Sequence, residues 1–453
     1  MNQVFEEKSI LKLILKMSIP AMIGMFVVVL YNMADTFFLG QTKNDLMIAG
    51  VSLATPIFML LITFGSLLGN GSATLISREI GMKNEKKAKK IAVITNYLAL
   101  IIGLTIMILI FLFMDQIINF LGSSEETKIY IEQYIKYIAL AAPIIIFTNT
   151  LTFSVRSVGA SKESMIGNII GSVLNIILDP IMILGMQMNV EGAALATLIS
   201  NVIVMIYFLY YIKKTNGIIS LNIKELEFNP IIIKNIIIIG IPVALANFLS
   251  TIANVVINTN LLQYGDGAIA AMGVSLRIIL ISTLLQVGFC NGILPILSYF
   301  YGAKNFTKFK ETIKKALIFI LIMGITISLL AFTFAKGLIT QFVTNEEIIK
   351  IGIIMIRSML LSGGLLGIYF LTISLLQATE KYKIAIFLSS LRQGIVFVPL
   401  CFILNYVFGL DGVINTQFFA DMITIVIAGM LLINIINNIN NIKINEEKII
   451  KNN

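Results

Sequence analysis

The chain of 453 residues contains no histidine and no tryptophan, and its two cysteines, Cys290 and Cys401, lie inside apolar stretches. These absences argue against a zinc or redox site built from histidine and cysteine, and against a disulfide framework. Charged residues make up only 13% of the chain, whereas soluble domains contain about a quarter. Because 58% of the residues are hydrophobic, the composition predicts an all-α membrane protein with many spanning helices.

Apolar stretches divided by charged residues, Gly, Pro and Asn predict twelve transmembrane helices of about 20 or more residues each. The predicted spans are 14–39, 46–76, 91–121, 130–155, 164–187, 192–212, 235–263, 268–300, 314–335, 351–378, 384–408 and 412–437. One longer polar interruption, residues 213–230, follows the sixth span. We interpret it as a cytoplasmic linker between two domains, residues 1–212 and 231–453.

The two halves of the chain share features, in the same order, at an offset of about 220 residues. The matching pairs are 18–20 with 240–242, 51–53 with 274–276, 70–71 with 291–292, 80–84 with 301–305, 89–90 with 314–315, Pro180 with Pro399, and 191–192 with 411–412. Six spans per half is an even number, so both halves enter the membrane from the same side as a parallel repeat. The sequence therefore predicts two pseudo-symmetric six-helix bundles that face each other across a central cleft.

The positive charges are distributed unevenly over the predicted loops. Both termini and the even-numbered loops hold most of the 33 Lys and Arg residues. The odd-numbered loops hold only Lys43, Lys128, Lys336 and Lys350. Because cytoplasmic loops are enriched in Lys and Arg, we predict that both termini are cytoplasmic. The net charge of +9 is then a topology signal, and it does not indicate a nucleic-acid partner.

Two acidic residues lie inside predicted spans, Asp35 in the first and Asp179 in the fifth. Charged groups inside a membrane are costly, so each is a candidate for function. Both spans run from inside to outside, and the positions of the two residues along them place both carboxyl groups in the outer half of the bilayer. We therefore predict that Asp35 and Asp179 share a pocket. The alternative is that each forms a hydrogen bond that only packs neighbouring helices.

Several polar residues are spaced to join this pair. Asn175 and Tyr31 each precede one of the acids by four residues, on the same helix face, while Thr197 in the sixth span reaches a similar depth and Asn149 lies deeper. Two adjacent carboxylates in low dielectric resist double ionisation, and with hydroxyl and amide oxygens they could also hold Na⁺. The residues predicted to bind H⁺ or Na⁺ are Asp35, Asn175, Asp179 and Thr197, with Tyr31 and Asn149 as looser members.

Pro20 lies fifteen residues before Asp35 in the same span. Proline removes one backbone hydrogen bond and permits a helix to bend. A helix that bends and carries a neutralisable acid would be a conformational switch. Proline is also tolerated near the start of a helix, so Pro20 alone does not separate these interpretations.

The acid pair is not repeated in the second half, where Ile257 and Val398 occupy the matching positions. Ion coupling is therefore predicted to be asymmetric. Asp421 lies in the twelfth span. Either it pairs with one of three arginines inside spans, or it lines a substrate cleft together with Arg277. The three arginines are Arg277, Arg357 and Arg392.

These features resemble the multidrug and toxic compound extrusion (MATE) transporters, especially their bacterial DinF-like and MepA-like branch. The motifs that carry the resemblance are SIPAMIG at 18–24, DTFFLG at 35–40, VLNIILDPIMILG at 173–185, NVEGAALATLISN at 189–201, GIPVAL at 240–245, GVSLRI at 273–278 and LLQATEK at 375–381. The resemblance covers nearly the whole chain.

The resemblance implies two six-helix bundles in a V-like arrangement that export amphipathic, often cationic, drugs in exchange for H⁺ or Na⁺. It implies a cation site at Asp35, Asn175, Asp179 and Thr197, with Tyr31 and Asn149 nearby and Pro20 as the bending point. Another branch of the family places a Glu in the seventh span. Ser250 stands at that position here, so no cation site is implied in the second half.

The leading hypothesis is a multidrug antiporter of the bacterial plasma membrane, sufficient as a monomer, without a cofactor, in contact with small hydrophobic drugs and membrane lipid. The alternative is a flippase for a lipid-linked oligosaccharide, which would need a cluster of buried cations that the first half lacks. No nucleotide-binding loop of the form GxxxxGK[ST] is present. A membrane enzyme is disfavoured because the loops contain no His and no clustered Asp. A channel is disfavoured because a duplicated chain with one acid pair suits alternating access.

Overall fold

The structure is a computed structural model that describes residues 4–343 and 345–452, with side chains up to residue 439. Within these residues the chain forms helices and no strands. The α-helices are α1 (Ile10–Gly40), α2 (Asp45–Gly81), α3 (Glu85–Leu112), α4 (Met114–Phe120), α5 (Glu125–Ser157), α6 (Ser161–Asp179), α7 (Asn189–Thr215), α8 (Pro230–Leu261), α9 (Asp266–Gly302), α10 (Phe306–Thr333), α11 (Ala335–Ile339), α12 (Glu346–Gly363), α13 (Leu366–Ala378), α14 (Tyr382–Ser390) and α15 (Phe397–Asn452). Two π-helical segments, Pro180–Gly185 and Leu391–Val396, continue α6 and α14.

Ten continuous helical stretches in the described part of the chain are long and apolar enough to cross a membrane. An eleventh is the pair α12 and α13, which is bent by 44°. The last of the ten, Tyr382–Ile439, has 58 residues, about three times the length that one crossing needs. Its backbone breaks at Gly409 (φ 59°, ψ −136°), between the predicted eleventh and twelfth spans. The all-α membrane fold is confirmed, and the number of spans is approximately consistent with the twelve predicted.

Corresponding turns in the two halves have the same local structure. Lys83 and Lys304 both adopt a left-handed backbone conformation. In each half the next residue, Asn84 or Asn305, caps the following helix, accepting a hydrogen bond from the backbone N–H of Lys87 (3.2 Å) or Lys308 (3.1 Å). Asparagine suits this position because its side-chain oxygen satisfies a free N–H of the first helical turn. The repeat seen in the sequence is therefore also a repeat of backbone geometry.

Contacts divide the chain into two compact units. The first contains Ile23–Gly240, and the second contains Phe5–Met22 together with Ile241–Asn453. The division falls inside α1 and inside α8, so the first part of α1 belongs to the second unit and the first part of α8 belongs to the first unit. Within the second unit, Ser18 Oγ donates a hydrogen bond to the Phe289 carbonyl (3.2 Å).

The linker after α7 is docked onto α3 of the first unit. Asn96 Nδ2 donates to the Ser220 carbonyl (3.2 Å), and Tyr97 Oη donates to the Leu221 carbonyl (2.9 Å). Lys89 Nζ lies 2.7 Å from Glu225 Oε1, and Lys90 pairs with Glu227. Side chains of α3 thus supply hydrogen-bond donors for two backbone carbonyls of the linker. The chain ends assigned to the cytoplasm, residues 1–3 and 453, lie outside the described residues.

Replacing Lys89 by glutamine is expected to loosen this linker. The pKa of the Glu225 carboxyl lies below its ordinary value because Lys89 donates a hydrogen bond to it, with a smaller contribution from Ser220. A lowered carboxyl pKa contributes stability above the ordinary Glu value of about 4.3, and this contribution is lost as pH falls through the lowered pKa. For an exposed ion pair we expect about 0.5 kcal/mol, measured at neutral pH as faster hydrogen exchange at 218–227.

Lys86→Gln is the matched control, because Lys86 is an exposed residue of the same helix turn. Unchanged exchange of the linker in Lys89→Gln, or equal acceleration in both variants, would contradict the docking role of Lys89.

Candidate functional site

The two predicted acids lie at helix ends within the first unit. Asp35 is five residues before the end of α1, and Asp179 is the last residue of α6, directly before Pro180 and the π-helical segment. The Asp179 side chain is fully buried, and Asp35 is partly buried. The end of α1 and the segment that follows α6 pack against each other, which brings the two acids that the sequence singled out into the same region.

A small apolar cluster next to the acids holds their helices together. Leu39 lies one turn after Asp35, and Ile183 lies one turn after Asp179. These two side chains pack with Ala193 of α7 in one buried cluster. Because each follows an acid by four residues on nearly the same helix face, the packing positions the two carboxyl groups. Each of the segments 35–40 and 179–185 therefore contains one acid and one apolar residue that packs in this cluster.

Four buried side-chain oxygens around the acid pair have no hydrogen-bond partner among the residues that the structure describes: Asp35 Oδ1, both carboxylate oxygens of Asp179, and Asn175 Oδ1. The Asn175 side chain is oriented by its amide nitrogen, because Nδ2 donates a hydrogen bond to Thr197 Oγ1 (3.4 Å). Buried acceptors without donors are costly and are normally satisfied in native proteins. A proton on one carboxyl would supply a donor, and Na⁺ would bind oxygens of this kind.

The remaining predicted members take different places. Tyr31 lies one turn before Asp35 in α1. Asn149 of α5 is turned towards α2, where Nδ2 donates to the Ile62 carbonyl (3.1 Å) and to Ser66 Oγ (3.4 Å). A cavity of about 200 Å³ is lined by both residues and by Asn175, Thr197 and Asn201, whereas neither acid lines it. The acid pair is therefore adjacent to this cavity and does not form its wall.

Two polar features of the first unit were not found from the sequence. Tyr134 of α5 is buried; it lies near a predicted span start, where a tyrosine carries no signal of its own. Asn201 extends the polar row of α7, because its Nδ2 donates to the Thr197 carbonyl (2.9 Å) and its Oδ1 accepts from Thr148 Oγ1 (3.2 Å). The four-residue spacing of Thr197 and Asn201 could have revealed it.

Helix α1 runs without interruption through Pro20. Pro20 has no N–H, so the helix lacks one backbone hydrogen bond at this point. The residue belongs to the part of α1 that packs with the second unit, three residues before the helix passes to the first. The structure thus shows a continuous helix that lacks one backbone hydrogen bond at Pro20.

Helix α7 approaches the π-helical segment very closely at Gly192. A Cβ atom at Gly192 would lie 2.8 Å from the Met182 carbonyl carbon and 3.0 Å from the Ile183 backbone nitrogen. These contacts are with backbone atoms that cannot turn aside as a side chain can. Glycine is therefore required where α7 packs against the segment that follows Asp179.

Gly192→Ala is expected to destabilise the protein by about 1–3 kcal/mol, the usual cost of overpacking. It should also shift the segment that positions Asp179. The measurement is thermal unfolding of the purified protein in detergent. Gly40→Ala is the control, since a Cβ there meets nothing within 4 Å. A stability for Gly192→Ala equal to that of the control would show that the two segments separate freely.

The second unit buries an ion pair instead of an acid pair. Arg392 Nε lies 2.8 Å from Asp421 Oδ1, which also accepts from Gln417 Nε2 (2.7 Å), while Oδ2 accepts from Ser362 Oγ (3.1 Å). Arg277, Arg392 and Asp421 all line one cavity of about 270 Å³. Arg357 instead stacks over the Phe332 ring, 5.0 Å from its centre. Of the three arginines considered for Asp421, the structure therefore selects Arg392.

No group of three or more Cys, Asp and Glu side chains that could hold a metal ion occurs in the part of the chain that the structure describes. An ion at the acid pair would accordingly depend on amide and hydroxyl oxygens as well as on two carboxylates. Asn175 and Thr197 are the neighbouring groups of this kind.

The sequence and the structure are both similar to known proteins. The profile of the MatE family matches residues 20–181 and 242–403, two stretches of equal length. The multidrug export protein MepA of Staphylococcus aureus (strain MSSA476) is 34% identical over 429 residues, 95% of this chain and 94% of MepA. MepA of Staphylococcus haemolyticus is 35% identical over 419 residues, 92% of each chain. A structure described as the outward-facing conformation of a multidrug resistance MATE family transporter superposes with a TM-score of 0.92 at 25% identity, covering 97% of this chain and 98% of the other.

Proposed function

Since this chain belongs to the MatE family, we propose that it is a secondary antiporter that exports amphipathic organic cations and drugs in exchange for H⁺ or Na⁺. The observation that carries this proposal is the group of four buried oxygens without donors at Asp35, Asp179 and Asn175. The multidrug export named for the staphylococcal relatives supports drugs as substrates.

Family membership confirms the resemblance found in the sequence. The chain is a multi-pass membrane protein, and it belongs with transporters. The prediction that it is not an enzyme is confirmed on the same ground.

Ion binding at the acid pair supplies the coupling in this proposal. With both carboxyl groups ionised, the pair carries two negative charges next to a largely apolar cavity that also exposes amide and hydroxyl groups, and it attracts a cation. A proton or Na⁺ at the pair removes this attraction and satisfies the free oxygens of Asp179. A bound ligand shifts a conformational equilibrium only by its differential affinity for the two states. A change in solvation or spacing of the two acids between states would provide that difference.

We assign roles by distance from the acids. Asp35, Asn175, Asp179 and Thr197 form the H⁺ or Na⁺ site, and Tyr31 can donate a hydrogen bond to it. Asn149 contributes only if its hydrogen bonds to α2 open. Bending at Pro20 would move the Asp35 end of α1, which supports a conformational role for this residue.

The proposed setting is the plasma membrane of a bacterium, with both termini cytoplasmic, as the Lys and Arg distribution favours. The protein would act as a monomer composed of the two lobes defined by the sequence repeat, with residues 213–230 as the linker. It would require an ion gradient and no cofactor.

The test is uptake of radiolabelled tetraphenylphosphonium into inside-out proteoliposomes, with a pH gradient or a Na⁺ gradient imposed separately. Accumulation against the concentration gradient of the probe, driven by one gradient alone, is expected and identifies the coupling ion. Protein-free liposomes provide the background. If neither gradient drives accumulation, antiport of organic cations is ruled out for this probe class, and a lipid-linked oligosaccharide becomes the substrate to test.

A further inference from the structure

We infer that the cavity of the second unit is a separate binding site for organic carboxylates, with Arg277 as the residue that binds the carboxylate group. The cavity has a volume of about 270 Å³, and every residue that lines it lies between Ser250 and Asp421. It is thus contained in one unit, apart from the acid pair of the first. Such a site extends the range of ligands beyond the cations of the proposed function.

The residues that line the cavity include two arginines and one acid, so together they carry a net positive charge. Asp421 is paired with Arg392 through a contact of 2.8 Å between Nε and Oδ1. Gln417 and Ser362 donate two further hydrogen bonds to the same carboxylate. These donors satisfy both oxygens of Asp421, and the pair of Arg392 and Asp421 has no net charge. Arg277 lines the same cavity, so its guanidinium gives the cavity one positive charge.

Arg392 is held in place by its neighbours, so its guanidinium is less available to a ligand than that of Arg277. Its guanidinium lies over the rings of Tyr369 and Phe370, 5.8 and 5.9 Å from their centres, and only 13% of its side chain is exposed. The Arg277 side chain is exposed. Among the described residues that line the cavity, Arg277 is thus the guanidinium available to a ligand. It suits a singly charged group, since a guanidinium binds a carboxylate through two parallel N–H donors.

The rest of the cavity fits an amphipathic molecule. Leu276, Ile279, Met359 and Phe397 provide apolar walls. The Gln393 side chain also lines the cavity and is only 9% exposed, and its Oε1 has no hydrogen-bond partner in the described part of the chain. A buried acceptor of this kind suits a ligand N–H or O–H group. The expected ligand is thus a flat or branched apolar body with one carboxylate and one hydrogen-bond donor.

The experiment compares an aminocoumarin carboxylate with its ethyl ester, which differ in the charge that Arg277 would bind. Fluorescence anisotropy measures the binding of each probe to the full-length protein in neutral maltoside micelles, with protein-free micelles subtracted. Wild type is expected to bind the carboxylate more tightly than the ester. Arg277→Gln should lower the affinity for the carboxylate by about tenfold, as for one lost charge-assisted hydrogen-bonded contact, and leave the affinity for the ester unchanged.

Arg357→Gln is the matched control, because Arg357 lies in the same unit, stacks on Phe332 and does not line the cavity. Arg277→Lys keeps the charge and should retain part of the preference. The inference is overturned if Arg277→Gln binds the carboxylate as wild type does, or if it loses both probes equally. Should Arg277→Gln fail to fold, a wild type that binds the ester as tightly as the carboxylate would overturn it. The assay imposes no ion gradient, so its outcome is independent of the antiport proposal.

Discussion

Asp179→Asn is expected to lower gradient-driven accumulation of a lipophilic cation by roughly 100-fold, near the upper end of ordinary coupling free energies. Asparagine has nearly the shape of aspartate but cannot take up or release a proton, and it carries no charge to attract Na⁺. Both oxygens of Asp179 lack a hydrogen-bond donor and the side chain is fully buried. The substitution therefore removes an uncompensated buried carboxylate, so the thermal stability of the variant should not fall.

The matched control is Asp115→Asn in the same proteoliposomes. Asp115 lies in α4 with 79% of its side chain exposed, and its contact with Lys128 is as long as 4.0 Å. Its variant should transport as wild type does. Accumulation in Asp179→Asn within twofold of wild type, with the protein correctly inserted, would make Asp179 a packing residue and would refute the acid pair as the coupling site.

Arg392→Gln is expected to destabilise the protein by about 3–5 kcal/mol, the usual cost of removing one partner from a buried ion pair. The variant leaves Asp421, 2% exposed, without the guanidinium that neutralises it. Gln417 and Ser362 still donate hydrogen bonds to Asp421, but neither supplies a positive charge. The measurement is the fraction of monodisperse protein that remains after heating in detergent, determined by size-exclusion chromatography.

Two further variants separate the ion pair from general damage. The double variant Arg392→Gln with Asp421→Asn should be more stable than Arg392→Gln alone, because no uncompensated charge remains. Lys315→Gln removes an exposed pair with Glu311 (2.6 Å) and should change stability by less than about 1 kcal/mol. A double variant that is less stable than Arg392→Gln would mean that Asp421 has a role apart from this pair.

The predicted spans were located well because the signal for a membrane helix is local. About 20 consecutive apolar residues define a crossing wherever the neighbouring helices lie. The break at Gly409 also falls in the predicted gap between the last two spans. Few residues other than glycine adopt the backbone conformation found there. The π-helical segment after Asp179 was not predicted, because its geometry depends on how α7 packs against it at Gly192.

The candidate site was predicted in part for a similar reason. Asp35 and Asp179 are conspicuous because an acid within an apolar span is rare. Tyr134 was missed because a tyrosine near the start of a span is ordinary, and its burial is decided by helix packing. The sequence placed Asn149 near the site, whereas the structure shows its amide bonded to α2.

The sequence alone established the helical membrane class, the repeat and the acids that the membrane makes costly, because these follow from local hydrophobicity and from charge placed in an apolar span. It left open which arginine pairs with Asp421 and which acceptors remain without donors. These properties depend on side chains far apart in the chain, and their distances are set by helix packing. The choice of Arg392 over Arg277 and Arg357 is of this kind, as is the place of Arg277 in the wall of the second cavity.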